Sequence, residues 1–270
     1  MSTKGNSWGT IEMRKKSKCL IAAAGIAVAI GASTLKAEDN VTLGATADFF
    51  SKYVWRGQNL VNDWSFQPGF SATYKGLTAS IWANLDLTHE NGNGGECSEV
   101  DLTLDYSGQF PDFDILGYSV GLIHYDFPVP RAADDTCELY WGFSLGVPAS
   151  PSVTVYHDVD EAEGTYISWG VSHSFANVFD LGPGIPLALN LGASLGWGSA
   201  SYNRFYWGPD SSRLNDLVLS AALPFEIAGF TVTPSVNYVT LVSDDIRRTD
   251  AYGRDSDDMW YAGIGFAKEF

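Results

Sequence analysis

From residue 41 onward the chain repeats one unit, about ten residues of alternating polarity and then a cluster of turn residues. Alternation with a period of two places successive side chains on opposite faces of a β-strand. The first run extends from Val41 to Gly57. Val41, Leu43, Ala45, Ala47, Phe49, Tyr53 and Trp55 share one face, and Thr42, Thr46, Asp48, Lys52 and Arg56 share the other. The third sets Leu77, Ala79, Ile81, Ala83, Leu85 and Leu87 against Thr78, Ser80, Asn84 and Asp86. The fourth sets Val100, Leu102, Leu104 and Tyr106 against Glu99, Asp101, Thr103 and Asp105. Twelve such runs fit between residue 41 and the C-terminus, two of them less regular, near 115–126 and 152–159. No stretch of this region holds a sustained helical period.

A soluble sandwich turns its apolar strand faces inward; a membrane barrel turns them outward and keeps a polar lumen. Three features favour the barrel. The polar faces are rich in small and hydroxyl residues, which suits a lumen. Aromatics gather at segment ends on the apolar face, at Tyr53, Trp55, Tyr74, Tyr106, Phe175, Trp197, Tyr238 and Trp260, where two interfacial girdles would lie. The connections are also unequal. Those at 58–65, 88–98, 127–136, 159–164, 198–213 and 244–257 are long, while Lys75-Gly76, Pro148–Pro151 and Glu226–Gly229 are tight; the turns expected at 107–114 and 176–186 are longer than a barrel's short side calls for. The expectation is an all-β, closed, antiparallel transmembrane barrel of twelve strands, up-and-down, with both termini on the periplasmic side. No segment of residues 38–270 offers the ~18 consecutive apolar residues of a membrane helix, and a closed barrel is the other way to satisfy every backbone group in lipid.

The ends of the chain agree. Trp260, Ala262, Ile264, Phe266 and Phe270 share one face of the last strand. A strand that stops on an aromatic resembles the C-terminal signal by which bacterial outer-membrane barrels are assembled. That resemblance implies the barrel-assembly machinery as a partner, beside outer-membrane lipid and lipopolysaccharide. Lys268 departs from the pattern, and a lysine near the membrane edge can snorkel. Arg14, Lys15, Lys16 and Lys18 precede the apolar run Leu20–Ile30, and small residues lead to Ala37, the order of a secretory signal. Residues 1–37 read as that signal, with either Met1 or Met13 as the start, and 38–270 as the barrel. Its removal takes six of 16 basic residues and one of 32 acidic ones, leaving a formal charge of −21. Nucleic-acid binding wants basic surface and is not expected.

Chemistry beyond the wall is sparse. Cys97 and Cys137 fall at the ends of the second and third outer loops and are read as a disulfide between them. Ser172 and His173 are sequence neighbours but point to opposite strand faces, and no other nucleophile–base grouping stands out. No enzyme activity, cofactor or metal is expected. The loop Asp158–Gly164 hints at calcium, yet Ala162 and Glu163 stand where an oxygen ligand and a glycine would be needed.

The stretch Ser51-Lys-Tyr-Val-Trp-Arg-Gly57, with Gln67–Tyr74 and Gly76–Trp82 after it, resembles a family of uncharacterised bacterial outer-membrane β-barrel proteins. Their first strand commonly reads S-x-Y-V-x-R-G. The resemblance implies location and architecture but no substrate. Within the barrel reading, Tyr53 and Trp55 face lipid near the outer rim, and Arg56 meets rim carboxylates near Asp86 and Glu99. Asp48, Asp86, Glu99, Asp101, Asp105 and Glu138 make an acidic lumen, opposed by Lys52 and Arg56. Twelve strands enclose more than eight and less than sixteen, so a narrow pore of this lining should prefer cations. The alternative is a closed structural or adhesion barrel plugged by Trp82, Tyr140, Tyr156 and Tyr166; a lipid-modifying enzyme is a more distant reading.

Overall fold

Thr42–Phe50 forms the first strand because its apolar and small polar residues alternate without interruption. A computed structural model describes residues 41–270, apart from 93, 130–132, 183 and 254–255. The export signal read at 1–37 lies outside the described residues. The elements in chain order are β1 (Thr42–Phe50), β2 (Tyr53–Trp55), β3 (Gln58–Val61), β4 (Ser65–Tyr74), β5 (Leu77–Asp86), β6 (Cys97–Phe110), β7 (Phe113–Asp126), β8 (Thr136–Leu145), β9 (Ser152–Asp158), β10 (Thr165–Asp180) and β11 (Pro186–Gly198). Helix α1 (Ala200–Tyr206) follows, then β12 (Arg213–Ala222), β13 (Phe225–Ile227), β14 (Phe230–Leu241), α2 (Asp244–Arg247) and β15 (Asp258–Glu269).

Twelve of these strands make the wall. Neighbours from β4 to β12 pair in sequence order, β12 pairs β14, β14 pairs β15, and β15 and β4 flank β1. All the pairings are antiparallel, so the sheet closes on itself and leaves no free edge. The seam is β1 against β15, running from Gly44 opposite Glu269 to Phe50 opposite Gly263.

The outer surface carries the apolar parity. Phe70, Ile81, Trp141, Trp169, Leu219 and Trp260 are all exposed. A belt of that extent is costly in water and suits hydrocarbon, in which a closed barrel satisfies every backbone group. Aromatics border it: Tyr106, Phe110, Phe113 and Phe179 towards the end that holds the termini, Trp64 and Trp260 towards the other. No helix among the described residues is long and apolar enough to cross a membrane.

The tight turns are built alike. Lys75-Gly76 and Ala228-Gly229 have positive φ at both residues, 49° and 84° in the first and 53° and 78° in the second. That is the two-residue hairpin turn whose twist matches the flanking strands.

Four sequence expectations need correction. The first run is not one strand: β1 stops at Phe50, and Tyr53–Val61 form a separate hairpin, β2 with β3. The turns expected at 107–114 and 176–186 are shorter, because β6 and β7 reach Phe110 and Phe113, and β10 runs to Asp180. Two of the long loops hold helices, α1 and α2. Cys97 and Cys137 are not bonded to each other. They sit on β6 and β8 with β7 between them, and the register sets Cys137 level, through His124, with Leu102 and not with Cys97, which keeps them beyond the ~7 Å of bridged Cα atoms.

Candidate functional site: the plugged outer mouth

The β2–β3 hairpin leaves the wall after Phe50 and folds into the lumen. Its tip, Arg56-Gly57, repeats the turn of Lys75-Gly76, with φ of 47° and 81°. An arginine in the left-handed region is unfavourable, and what it reaches accounts for the position. The Arg56 guanidinium makes two parallel hydrogen bonds of 2.7 Å to the Glu138 carboxylate on β8. Both side chains are buried. Three rings surround the guanidinium, those of Trp55, Tyr156 and Tyr166, at 4.4, 4.2 and 4.6 Å from centroid to carbon. A paired guanidinium on aromatic faces is among the stronger arrangements available to a desolvated cation. The Tyr125 hydroxyl adds a third hydrogen bond to Glu138, at 2.9 Å.

The other side of the tip touches the opposite wall. A β-carbon built on Gly57 would lie 2.8 Å from Asp216 Cβ on β12 and 3.0 Å from Leu241 on β14. The hairpin therefore spans the bore, from β8 to the β12–β14 pair. Tyr166 donates to Asp216 at 2.9 Å behind it. Above the tip, Gln58 donates to the Tyr202 hydroxyl at 3.3 Å and accepts from the Tyr252 hydroxyl. Helix α1 brings Tyr202 there: Ser199 caps it by accepting from the Tyr202 N–H, and Asn203 ties it to Gly198 and Ser211. Tyr202, Trp207, Leu241 and Ile246 complete a buried cluster with Tyr166. Burial raises the hydroxyls of Tyr202, Tyr206 and Tyr252 above the ordinary phenol range.

The sequence-derived site residues can now be placed. Tyr53 and Trp55 are inside, not on lipid: Tyr53 is buried against Trp82, and Trp55 meets Tyr125 and Tyr206 edge-on. Arg56 pairs with Glu138 rather than with Asp86 or Glu99. Lys52 bonds Asn62 at the hairpin base. Asp48 stands opposite Gly265 and Gln67 near the seam. Asp105 accepts from the Tyr140 hydroxyl at 2.6 Å. Asp86 is fully buried; its Oδ1 accepts from Asn84 at 3.0 Å and Ser98 at 2.9 Å. Asp86 Oδ2 and Asp101 Oδ1 have no hydrogen-bond partner among the described residues. Glu99 is also buried. The acidic loop is held by its own backbone: Asp158 Oδ1 accepts N–H groups from Asp160, Ala162 and Glu163, and Oδ2 accepts from Thr136. No cluster able to hold a metal ion occurs among the described residues. Ser172 and His173 pair with Gly192 and Leu191, on opposite faces of β10.

Two spaces remain. A cavity of about 590 Å³ opens at the outer mouth beside the hairpin, lined by Tyr53, Trp55, Asp86, Glu99, Tyr206 and Tyr252 among others. A second, of about 470 Å³, lies against the inner wall near the opposite end, lined by Ser107, Gly117, Ser119, Gly142, Ser144 and Thr154. Glycines there make room for hydroxyls on the next strand: a β-carbon on Gly117 would sit 2.6 Å from Ser144 Oγ, and one on Gly192 would sit 2.6 Å from Ser220 Oγ.

Residues 34–180 match the model of a family described as a bacterial protein of unknown function, Gcw_chp. No curated protein matches. Among solved structures the chain is similar to the NanC porin, at 12% identity and a TM-score of 0.50 over 84% of this chain and 98% of that one. It is similar to LpxR from Salmonella typhimurium at 10% identity and a TM-score of 0.50, over 84% and 99%. The KdgM porin follows at 9% identity and 0.48, over 85% and 99%. At these identities the likeness to the first two shows the fold alone, a closed antiparallel barrel.

Proposed function

The chain belongs to the Gcw_chp family of bacterial proteins of unknown function, and we propose that it is an outer-membrane porin-like barrel, a narrow cation-preferring pore held shut by its own first hairpin. The observation that carries the reading is the lining. We assign Asp48, Asp86, Glu99, Asp101 and Asp105 to the lumen together with Arg56, whose charge is taken up by Glu138. Lumen carboxylates in excess of cations favour passage of cations. The apolar outer wall supports a place in the outer membrane, with lipid and lipopolysaccharide around it, and the strand ending at Phe270 is the segment we assign to the assembly machinery.

Planar-bilayer recording tests the pore. The wild-type protein should show low conductance with a reversal potential favouring cations, and Arg56→Ala should raise the conductance severalfold. Anion preference overturns the reading. So does silence from both proteins, which would leave the second reading, a closed structural or surface-adhesion barrel. The hairpin seated across the bore is the observation that favours that alternative.

A further inference from the structure

The geometry points to the outer-mouth cavity as a binding site for a small organic cation with an aromatic or apolar body. The cavity is large enough for such a molecule, at about 590 Å³. Its walls are aromatic: Trp55 and Tyr53 from the hairpin, Phe205 and Tyr206 from α1, and Tyr252 from the loop after α2. Among the described residues its charge is of one sign. Asp86 and Glu99 line it, and no lysine or arginine does among the described residues. Arg56, beside the lining residue Trp55, is already committed to Glu138 by two hydrogen bonds.

The independent observation is the state of Asp86. The side chain is fully buried, and Asn84 and Ser98 hold one carboxylate oxygen in place. The second oxygen has no hydrogen-bond partner among the described residues. An unpaired buried acceptor is costly, and a carboxylate fixed by neutral donors carries its charge to whatever enters beside it. An ammonium group can donate to such an oxygen, and aromatic faces attract the same cation while covering its apolar part. An anion would meet two acidic side chains, and a neutral hydroxyl could donate to the Asp86 oxygen but would bring no positive charge to it.

The site goes beyond the pore reading, because occupancy does not require conduction. The test is a titration of the purified protein in detergent micelles, followed by tryptophan fluorescence and calorimetry. The probes are phenethylammonium, the neutral 2-phenylethanol, the anionic 3-phenylpropionate and methylammonium. Phenethylammonium should bind about tenfold more tightly than either 2-phenylethanol or methylammonium, and 3-phenylpropionate most weakly. Asp86→Asn keeps the acceptor that Asn84 and Ser98 use and removes the charge, so it should bring phenethylammonium and 2-phenylethanol to within about threefold of each other. The wild-type series stands alone if that variant does not fold. Equal binding of the neutral alcohol or of methylammonium, or a preference for the anion, overturns the proposal. A barrel that binds phenethylammonium yet conducts nothing would sink the pore and leave this site standing.

Discussion

The two halves of the lumen are built on opposite rules. Towards the termini the wall-facing residues are small, and a glycine often stands beside a serine whose hydroxyl leans into the space, as at Gly117 with Ser144 and Gly192 with Ser220. At the outer end large aromatics and ionised groups meet in the centre, tied by the Arg56–Glu138 pair and its ring of tyrosines. The wall is held by the backbone pairings of twelve strands. The plug depends on a few side chains, since each buried partner left alone bears its full desolvation cost.

That contrast can be broken in order of size. Arg56→Ala strands the Glu138 charge and should cost about 3–5 kcal/mol in urea unfolding of the folded barrel; a loss below 1 kcal/mol would mean that the pair is not seated as described. Gly57→Val meets both a left-handed backbone and the wall at Asp216, and should cost about 2 kcal/mol. It should also release the hairpin, seen as protease cleavage between Phe50 and Ser65 that the wild type resists. Ser119→Ala, on the inner wall, should move stability by less than about 0.5 kcal/mol; a larger loss would erase the difference between the halves. The smallest effect is a titration. Burial raises the phenols of Tyr202, Tyr206 and Tyr252, so their contribution is whole below the unfolded value of about 10 and lost as the pH climbs through the folded values. Ultraviolet titration of the folded protein should show a class of phenols ionising late, absent in Tyr252→Phe for one of them.

Strand number, polarity and loop asymmetry were legible because each rests on a local alternation. The plug was not. Tyr53 and Trp55 continue the odd parity of Leu43, Ala45, Ala47 and Phe49, so a bend at Ser51 leaves the pattern unbroken. One signal was present: Arg56-Gly57 is the same kind of pair as Lys75-Gly76, an X-Gly between two strand-like runs. The acidic face was readable residue by residue, but the partner of Arg56 was not, since Glu138 lies 82 positions away and becomes its neighbour only once the sheet has curved round. Helix α1 escaped notice because seven residues hold too few turns for a periodic stripe, although Ser199 is a residue type suited to begin one.

The tip of the hairpin leans on β12 and β14, while its root follows β1, which completes the ring by meeting β15. The hairpin thus takes its supports from strands as far along the chain as β14. Contacts so distant along the chain form slowly. Seating of Arg56 therefore needs β8, β12 and β14 to stand around it together, a lock cut to fit a finished cylinder.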